Sequence, residues 1–265
     1  MIPQIEILPP KQNSEKLDAD LEQFADKFNR VMEAGYGVCI TDNAMGKRSF
    51  QATELITELG LEYPDPELVH VHLNTFHTKE NLLEILDTCV ARGFKNILVI
   101  SGDGSELLPK LQPEDLADLM DVTGVQSVTS VTLIKYIKAR HPGFFNIAAA
   151  FNPYEPEDHE FEKLARKIEA GAEMIITQPI IPKAYAALDK MLAKYPDVSV
   201  VLECWMSKKL HLLSDAVGYT IPEDTPYDPF ECLAELQKNY PKCGIYLALV
   251  GFKTQWDTIK TLFPV

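Results

Sequence analysis

The sequence predicts a TIM (β/α)8 barrel, with residues 1–265 forming one domain. Eight short apolar segments alternate with stretches of helical periodicity along the 265-residue chain, which is the strand count and length of that fold. Seven of the eight segments end in a polar or ionisable residue, as expected where ligands meet the carboxyl ends of parallel strands. The competing doubly wound sheet usually carries a GxGxxG or P-loop turn after its first strand, and neither motif is present.

The elements follow in order. Ile2 to Leu8 reads as the first strand, ended by Pro9-Pro10, and Asp18 to Glu33 has helical apolar spacing through Leu21, Phe24, Phe28 and Val31. Gly35 to Thr41 is the second strand, followed by a helix from Phe50 to Leu59 that Gly60 closes. Leu68 to Leu73 is the third strand, and Thr78 caps a helix running to Arg92. The fourth strand is the β-branched run Ile97-Leu98-Val99-Ile100, which stops at Ser101-Gly102-Asp103-Gly104. Helices are expected over Pro113 to Met120 and Thr129 to Arg140, then a fifth strand from Phe145 to Ala150 and a helix from Asp158 to Ala170. Met174 to Thr177 and Val198 to Glu203 are the sixth and seventh strands, with Lys183 to Lys194 helical between them. Helices over Lys208 to Val217 and Pro229 to Lys238 precede the eighth strand, Gly244 to Val250, and Phe252 to Leu262 is the last helix.

Bulk properties narrow the function. A net charge of -14, from 25 basic and 39 acidic residues, argues against a nucleic-acid or anionic-membrane surface. Five scattered cysteines without CxxC spacing read as reduced thiols. The N-terminus lacks a basic region and a long apolar core, so no signal peptide is expected. No run reaches membrane-spanning length. The cytoplasm is the expected compartment.

The strand ends gather Glu6, Thr41-Asp42-Asn43, His72 with Asn74, Asp103, Phe151-Asn152, Gln178 and Glu203. A carboxylate at a strand end is often only a loop cap. Glu6 is more informative, because it interrupts the apolar run Ile5-Ile7-Leu8. A carboxyl buried there keeps its proton to higher pH, which suits a general acid. His70 and His72 share a strand face at a spacing that also suits a metal. His141, His159 and His211 do not fall at strand ends, and no metal is expected. Arg166-Lys167 on the fifth-strand helix reads either as a solvated basic face or as a phosphate clamp.

Read together, Ile5 to Lys11 (I-E-I-L-P-P-K), Ser101 to Gly104 (S-G-D-G), Ile147 to Pro153 (I-A-A-A-F-N-P) and Arg166 to Ile181 (R-K-I-E-A-G-A-E-M-I-I-T-Q-P-I-I) resemble the methylenetetrahydrofolate reductase family. The resemblance covers most of the chain. It implies a TIM barrel with a flavin at the carboxyl face, usually FAD, with FMN as the variant. It also implies hydride transfer from NAD(P)H through the flavin to 5,10-methylenetetrahydrofolate, giving the 5-methyltetrahydrofolate used in methionine biosynthesis. By the same resemblance Glu6 is the proton donor, Asp103 tunes the flavin and holds the pterin, and Gln178 contacts folate. Thr41, His72 and Phe151 fall at flavin-contacting positions, and Arg166 with Lys167 near the flavin phosphates.

Four places depart from the family pattern, one of them at Glu160 and Lys163, the acidic and amide positions before Arg166-Lys167. The turn after strand four lacks its prolines and its preceding basic residue. Phe151-Asn152-Pro153-Tyr154 replaces a tyrosine-proline with a nearby histidine. Glu203-Cys204-Trp205-Met206 replaces a proline-glycine stretch. These changes leave open a redox-protein partner in place of NAD(P)H, a flavin-free pterin-binding methyltransferase, and a partner subunit of a multi-protein reductase, with homo- or hetero-oligomers among the outcomes.

Overall fold

The computed structural model describes residues 2–104 and 106–264. Among them eight strands form: β1 (Gln4–Ile7), β2 (Gly37–Ile40), β3 (Val69–Leu73), β4 (Asn96–Val99), β5 (Asn146–Phe151), β6 (Met174–Pro179), β7 (Ser199–Trp205) and β8 (Gly244–Ala248). Each pairs in parallel with the next, and β8 pairs back onto β1, so the sheet closes as a TIM (β/α)8 barrel. The helices are α1 (Leu17–Glu33), α2 (Ala52–Glu58), α3 (Lys79–Arg92), α4 (Ser130–Arg140), α5 (Glu157–Glu169), α6 (Tyr185–Lys194), α7 (Leu210–Val217), α8 (Pro229–Asn239) and α9 (Trp256–Leu262). No helix among the described residues is long and apolar enough to cross a membrane.

Strand alternation sorts the side chains into two cores. Ile5, Ile7, Val38, Ile40, Val71, Val99, Ile147, Ile175, Leu202 and Leu247 face outward and pack under the helices. Cys39, Leu98, Ala148, Ile176, Val201, Tyr246 and Ala248 face inward and fill the lumen. α1 shows how a helix seats itself: Phe24, Phe28, Val31 and Met32 recur on one face and are buried, while acidic residues occupy its first turn.

The ring is also tied across its closure. The Tyr36 hydroxyl donates to the Phe263 carbonyl at 2.7 Å, and the Arg30 guanidinium donates to the Phe252 carbonyl at 2.9 Å while lying over the Phe252 and Trp256 rings.

Beyond end shifts of a few residues in most elements, three features differ from the sequence reading. The helix expected over Pro113 to Met120 is one 3-10 turn, Pro113–Leu116. Only Pro113 and Leu116 are buried there, and Leu119 is exposed, so no apolar stripe holds a longer helix down. Gly35 belongs to the end of α1 in the left-handed conformation (φ 68), and β2 starts two residues later. Between β6 and β7 the register slips: Ile176 opposes Val201 but Pro179 opposes Glu203. The bulge falls at Thr177-Gln178, where Pro179 has no N–H for the ladder.

Candidate active site

The carboxyl mouth is built around Glu6. Its neighbours Ile5 and Ile7 are buried outward, so alternation turns Glu6 into the lumen. There Oε2 accepts a hydrogen bond from the Tyr246 hydroxyl at 2.9 Å and Oε1 accepts one from the Leu249 N–H at 3.4 Å. Leu249 takes φ 54, a left-handed backbone that non-glycine residues rarely adopt. The strain sits where the chain aims an N–H at the carboxyl. Burial raises the pKa of Glu6, and the two donors partly oppose that rise.

Glu203 enters from β7. It opposes Tyr246 in the ladder, and its own N–H donates to Thr177 Oγ1 at 3.1 Å. Burial, and then the charge of Glu6, raise its pKa well above the usual carboxylate range. Three consecutive strands, β7, β8 and β1, thus place Glu203, Tyr246 and Glu6 on one inner wall.

The next strands around the ring, β2 and β3, add polar, neutral side chains. His72 is buried, lies stacked against Tyr246 with ring centroids 6.1 Å apart, and is pushed down to a pKa of about 3 by burial and by His70. It is therefore uncharged at neutral pH. Among the described residues, nothing hydrogen-bonds the buried His72 Nε2, Thr41 Oγ1 or the Trp205 indole N–H. Unpaired buried polar atoms are rare in folded proteins, and these three belong to the mouth rather than to the packing layers.

Asp103 stands at the rim and is exposed, its Oδ2 accepting from the Met45 N–H at 2.6 Å. This bond joins the loops after β2 and β4. Gly102 (φ 83) allows the turn, since a Cβ there would lie 2.8 Å from the Phe76 ring. Beneath it, buried Asp42 accepts from the Asn74 N–H at 2.8 Å and contacts His77 Nε2 at 2.7 Å, which fixes the ends of β2 and β3. Gln178 is half-buried at the β6 bulge, beside the strand that carries Glu203.

Three residues do not join this group. The Phe151 side chain points outward into the helix-facing core, with its ring 5.7 Å from Phe161. As the odd neighbour of the inward Ala148 and Ala150, it faces away from the hollow. Arg166 is on the solvent side of α5, 3.5 Å from Glu162. Its neighbour Lys167 points inward, donating to the Ala150 carbonyl at 2.6 Å beside Glu160 Oε1 at 3.8 Å. It ties α5 to β5, and its charge is already matched.

Tyr246 is the participant the sequence reading missed. It lies within an apolar strand, where tyrosine is an ordinary strand former. Among the described residues no three His, Cys, Asp or Glu side chains converge as a metal site would require. A recess of about 410 Å³ opens beside the mouth between the loops after β7 and β8 and the start of α8. Its charged residues, Lys208 and Asp228, face each other at 3.6 Å.

Comparison with known proteins places this geometry in context. The family whose model matches, over residues 2–222, is described as Methylenetetrahydrofolate reductase. Similar solved structures include an uncharacterized protein from Clostridium thermocellum that binds two copies of 5-methyl-5,6,7,8-tetrahydrofolic acid. Its TM-score is 0.61 and its identity 13%, over 99% of this chain and 96% of that one. QR15, an aldolase, aligns with a TM-score of 0.51 and 12% identity over 99% of this chain and 96% of that one. At these identities the likeness shows the fold alone. No curated protein sequence matches the chain.

Proposed function

Because the chain belongs to the methylenetetrahydrofolate reductase family, we propose that it is an oxidoreductase that reduces 5,10-methylenetetrahydrofolate to 5-methyltetrahydrofolate with a bound flavin. The observation that carries this reading is the carboxyl Glu6, half-buried at the mouth and aligned by Tyr246 and Leu249. A carboxyl kept protonated toward neutral pH can protonate a substrate nitrogen and open the methylene bridge to an iminium. Asp103, on the rim, is proposed to stand beside the pterin and offset the positive charge that then develops. Gln178 is proposed to hydrogen-bond the pterin edge.

The fit of the flavin divides in two. Thr41 Oγ1 and His72 Nε2, both unpartnered, suit the polar edge of a planar heterocycle. For the phosphates, Arg166 is solvent-facing and Lys167 is bound to Ala150 and Glu160, so neither offers a free clamp. FMN or FAD would supply the hydride, taken from NAD(P)H or from a redox-protein partner. The protein would orient substrate and hold the proton.

A second reading is flavin-free binding of a methylated pterin for methyl transfer. The already matched charge of Lys167 favours it, as does the pterin bound by the Clostridium thermocellum protein.

The visible absorption spectrum of the purified protein decides between them. A yellow protein whose flavin bleaches with a reductant and recovers with methylenetetrahydrofolate supports the reductase. Glu6→Gln is then expected to leave flavin reduction intact and lower folate reduction by at least about 100-fold. A colourless protein that binds 5-methyltetrahydrofolate overturns the reductase reading.

A further inference from the structure

One polar group of the hollow has no part in either proposed reaction. Trp205 closes β7, two residues beyond Glu203 and so on the same inner face. It belongs to the lumen cluster with Ile176, Val201 and Ala248, and it is only 7% exposed. Among the described residues nothing hydrogen-bonds its indole N–H, which is sealed from solvent. An indole nitrogen can only donate, and a buried donor left unpaired destabilises the fold.

The chain holds this indole firmly. The Met206 N–H donates to the Ala248 carbonyl at 2.9 Å, and the Tyr227 hydroxyl donates to the Trp205 carbonyl. Tyr227 lies on the loop that returns from α7. That helix packs with the lumen residues: Leu210, Leu213 and Val217 join the same cluster as Trp205. The buried Leu233 and Leu236 of α8 join the helix-facing core instead. Trp205 also stands in the stretch where the family pattern has proline and glycine, neither of which carries a side-chain donor.

The other unpaired atoms of the mouth stand across the hollow. His72 is on β3, four strands from β7 in either direction around the ring, and Thr41 follows the neighbouring β2. The side chains between are small: Ala248 opposes Trp205 in the ladder, and Ala150 faces inward from β5. The stacked rings of His72 and Tyr246 lie one step deeper, since Tyr246 precedes Ala248 by two residues. Polar atoms on facing sides, small residues between them and an aromatic floor suit a flat heterocycle with polar edges.

We propose that Trp205 is a specificity-determining residue of this hollow: its indole N–H donates to a carbonyl oxygen or unprotonated ring nitrogen of the bound heterocycle, across from His72 and Thr41. The proposal deepens the reading of the chain as a protein that binds a pterin, with or without a flavin, and rests on it. Both ring systems carry such acceptors. A ring that turns an acceptor to this edge is held, whereas one that turns an N–H or amine to it sets donor against donor and is rejected. The N–H is sealed in the free protein, so the ligand takes the place of part of its apolar cover.

The chain has two tryptophans, Trp205 and Trp256, so its indole N–H groups give two signals in a proton–nitrogen correlation NMR spectrum. Trp205→Phe assigns them, and Trp256→Phe gives the same assignment if the first variant folds poorly. The full-length, flavin-free protein is titrated with 5-methyltetrahydrofolate and, separately, with FMN. Binding should move the Trp205 proton signal downfield, the direction of a new hydrogen bond, and leave Trp256 in place. A shift with the folate assigns the indole to a pterin, and a shift with FMN assigns it to the flavin. Trp205→Phe should weaken the ligand that causes the shift by about tenfold. A Trp205 signal that stays in place at saturation, one already at a hydrogen-bonded position in the free protein, or binding of neither ligand overturns the proposal. A shift with 5-methyltetrahydrofolate in a protein that reduces no folate keeps the indole assignment and removes only the reductase reading.

Discussion

Glu6 and Glu203 oppose the stability of the fold in which they sit. For both, burial raises the folded-state pKa. Their contribution to stability is therefore complete below the unfolded value and is lost as pH rises through the folded one. Glu203→Gln should consequently unfold at a higher temperature than wild type at about pH 8, with the difference vanishing by about pH 3, where glutamates are protonated in both states. A thermal melt at the two pH values checks this, and equal midpoints at the higher pH would contradict the burial of the pair.

Single residues were unevenly legible in the sequence. Glu6 announced itself by breaking an apolar run. Tyr246 did not, because a tyrosine inside a strand has no distinguishing pattern until its hydroxyl meets a partner 240 residues away. The outward turn of Phe151 follows from side-chain parity, which proximity to a strand end does not reveal. Arg166 and Lys167 are adjacent in sequence, yet helical geometry sends one to solvent and the other to Ala150.

At the scale of elements, short apolar runs bounded by turn residues were enough to locate all eight strands. The helices whose apolar residues recur on one face, such as α1, were equally plain. What local pattern did not reveal was the bulge at Gln178, since a register slip depends on the partner strand. The loop after β4 was legible as a glycine turn, but its attachment to Met45 was not. That loop is tightly determined: Gly102 leaves no room against Phe76 and Asn74. Gly102→Ala should destabilise the protein by about 1–3 kcal/mol through left-handed strain and the clash. It should also weaken pterin binding by displacing Asp103. Urea unfolding reads the first effect and ligand titration the second; an unchanged urea midpoint would show the turn to be looser than described.

Over the whole molecule, closure is what assembles the site. β1 pairs with both β2 and β8, and the bonds from Tyr36 and Arg30 draw the last helix against the first. The family match ends at residue 222, before α8, β8 and α9. A chain ending there leaves the edges of β1 and β7 unpaired and Glu6 without Tyr246. Such a chain should show no cooperative urea transition and no near-ultraviolet circular dichroism, whereas a sharp transition would show that seven strands suffice.

The seam between β1 and β8 also sets an order of events during synthesis. The ribosome releases Glu6 240 positions ahead of Tyr246. At roughly 5–20 residues per second, the proposed acid waits roughly 12–48 s for the hydroxyl that orients it. A nascent chain therefore has no competent hollow with which to trap a metabolite, and chemistry begins only once the ring has shut.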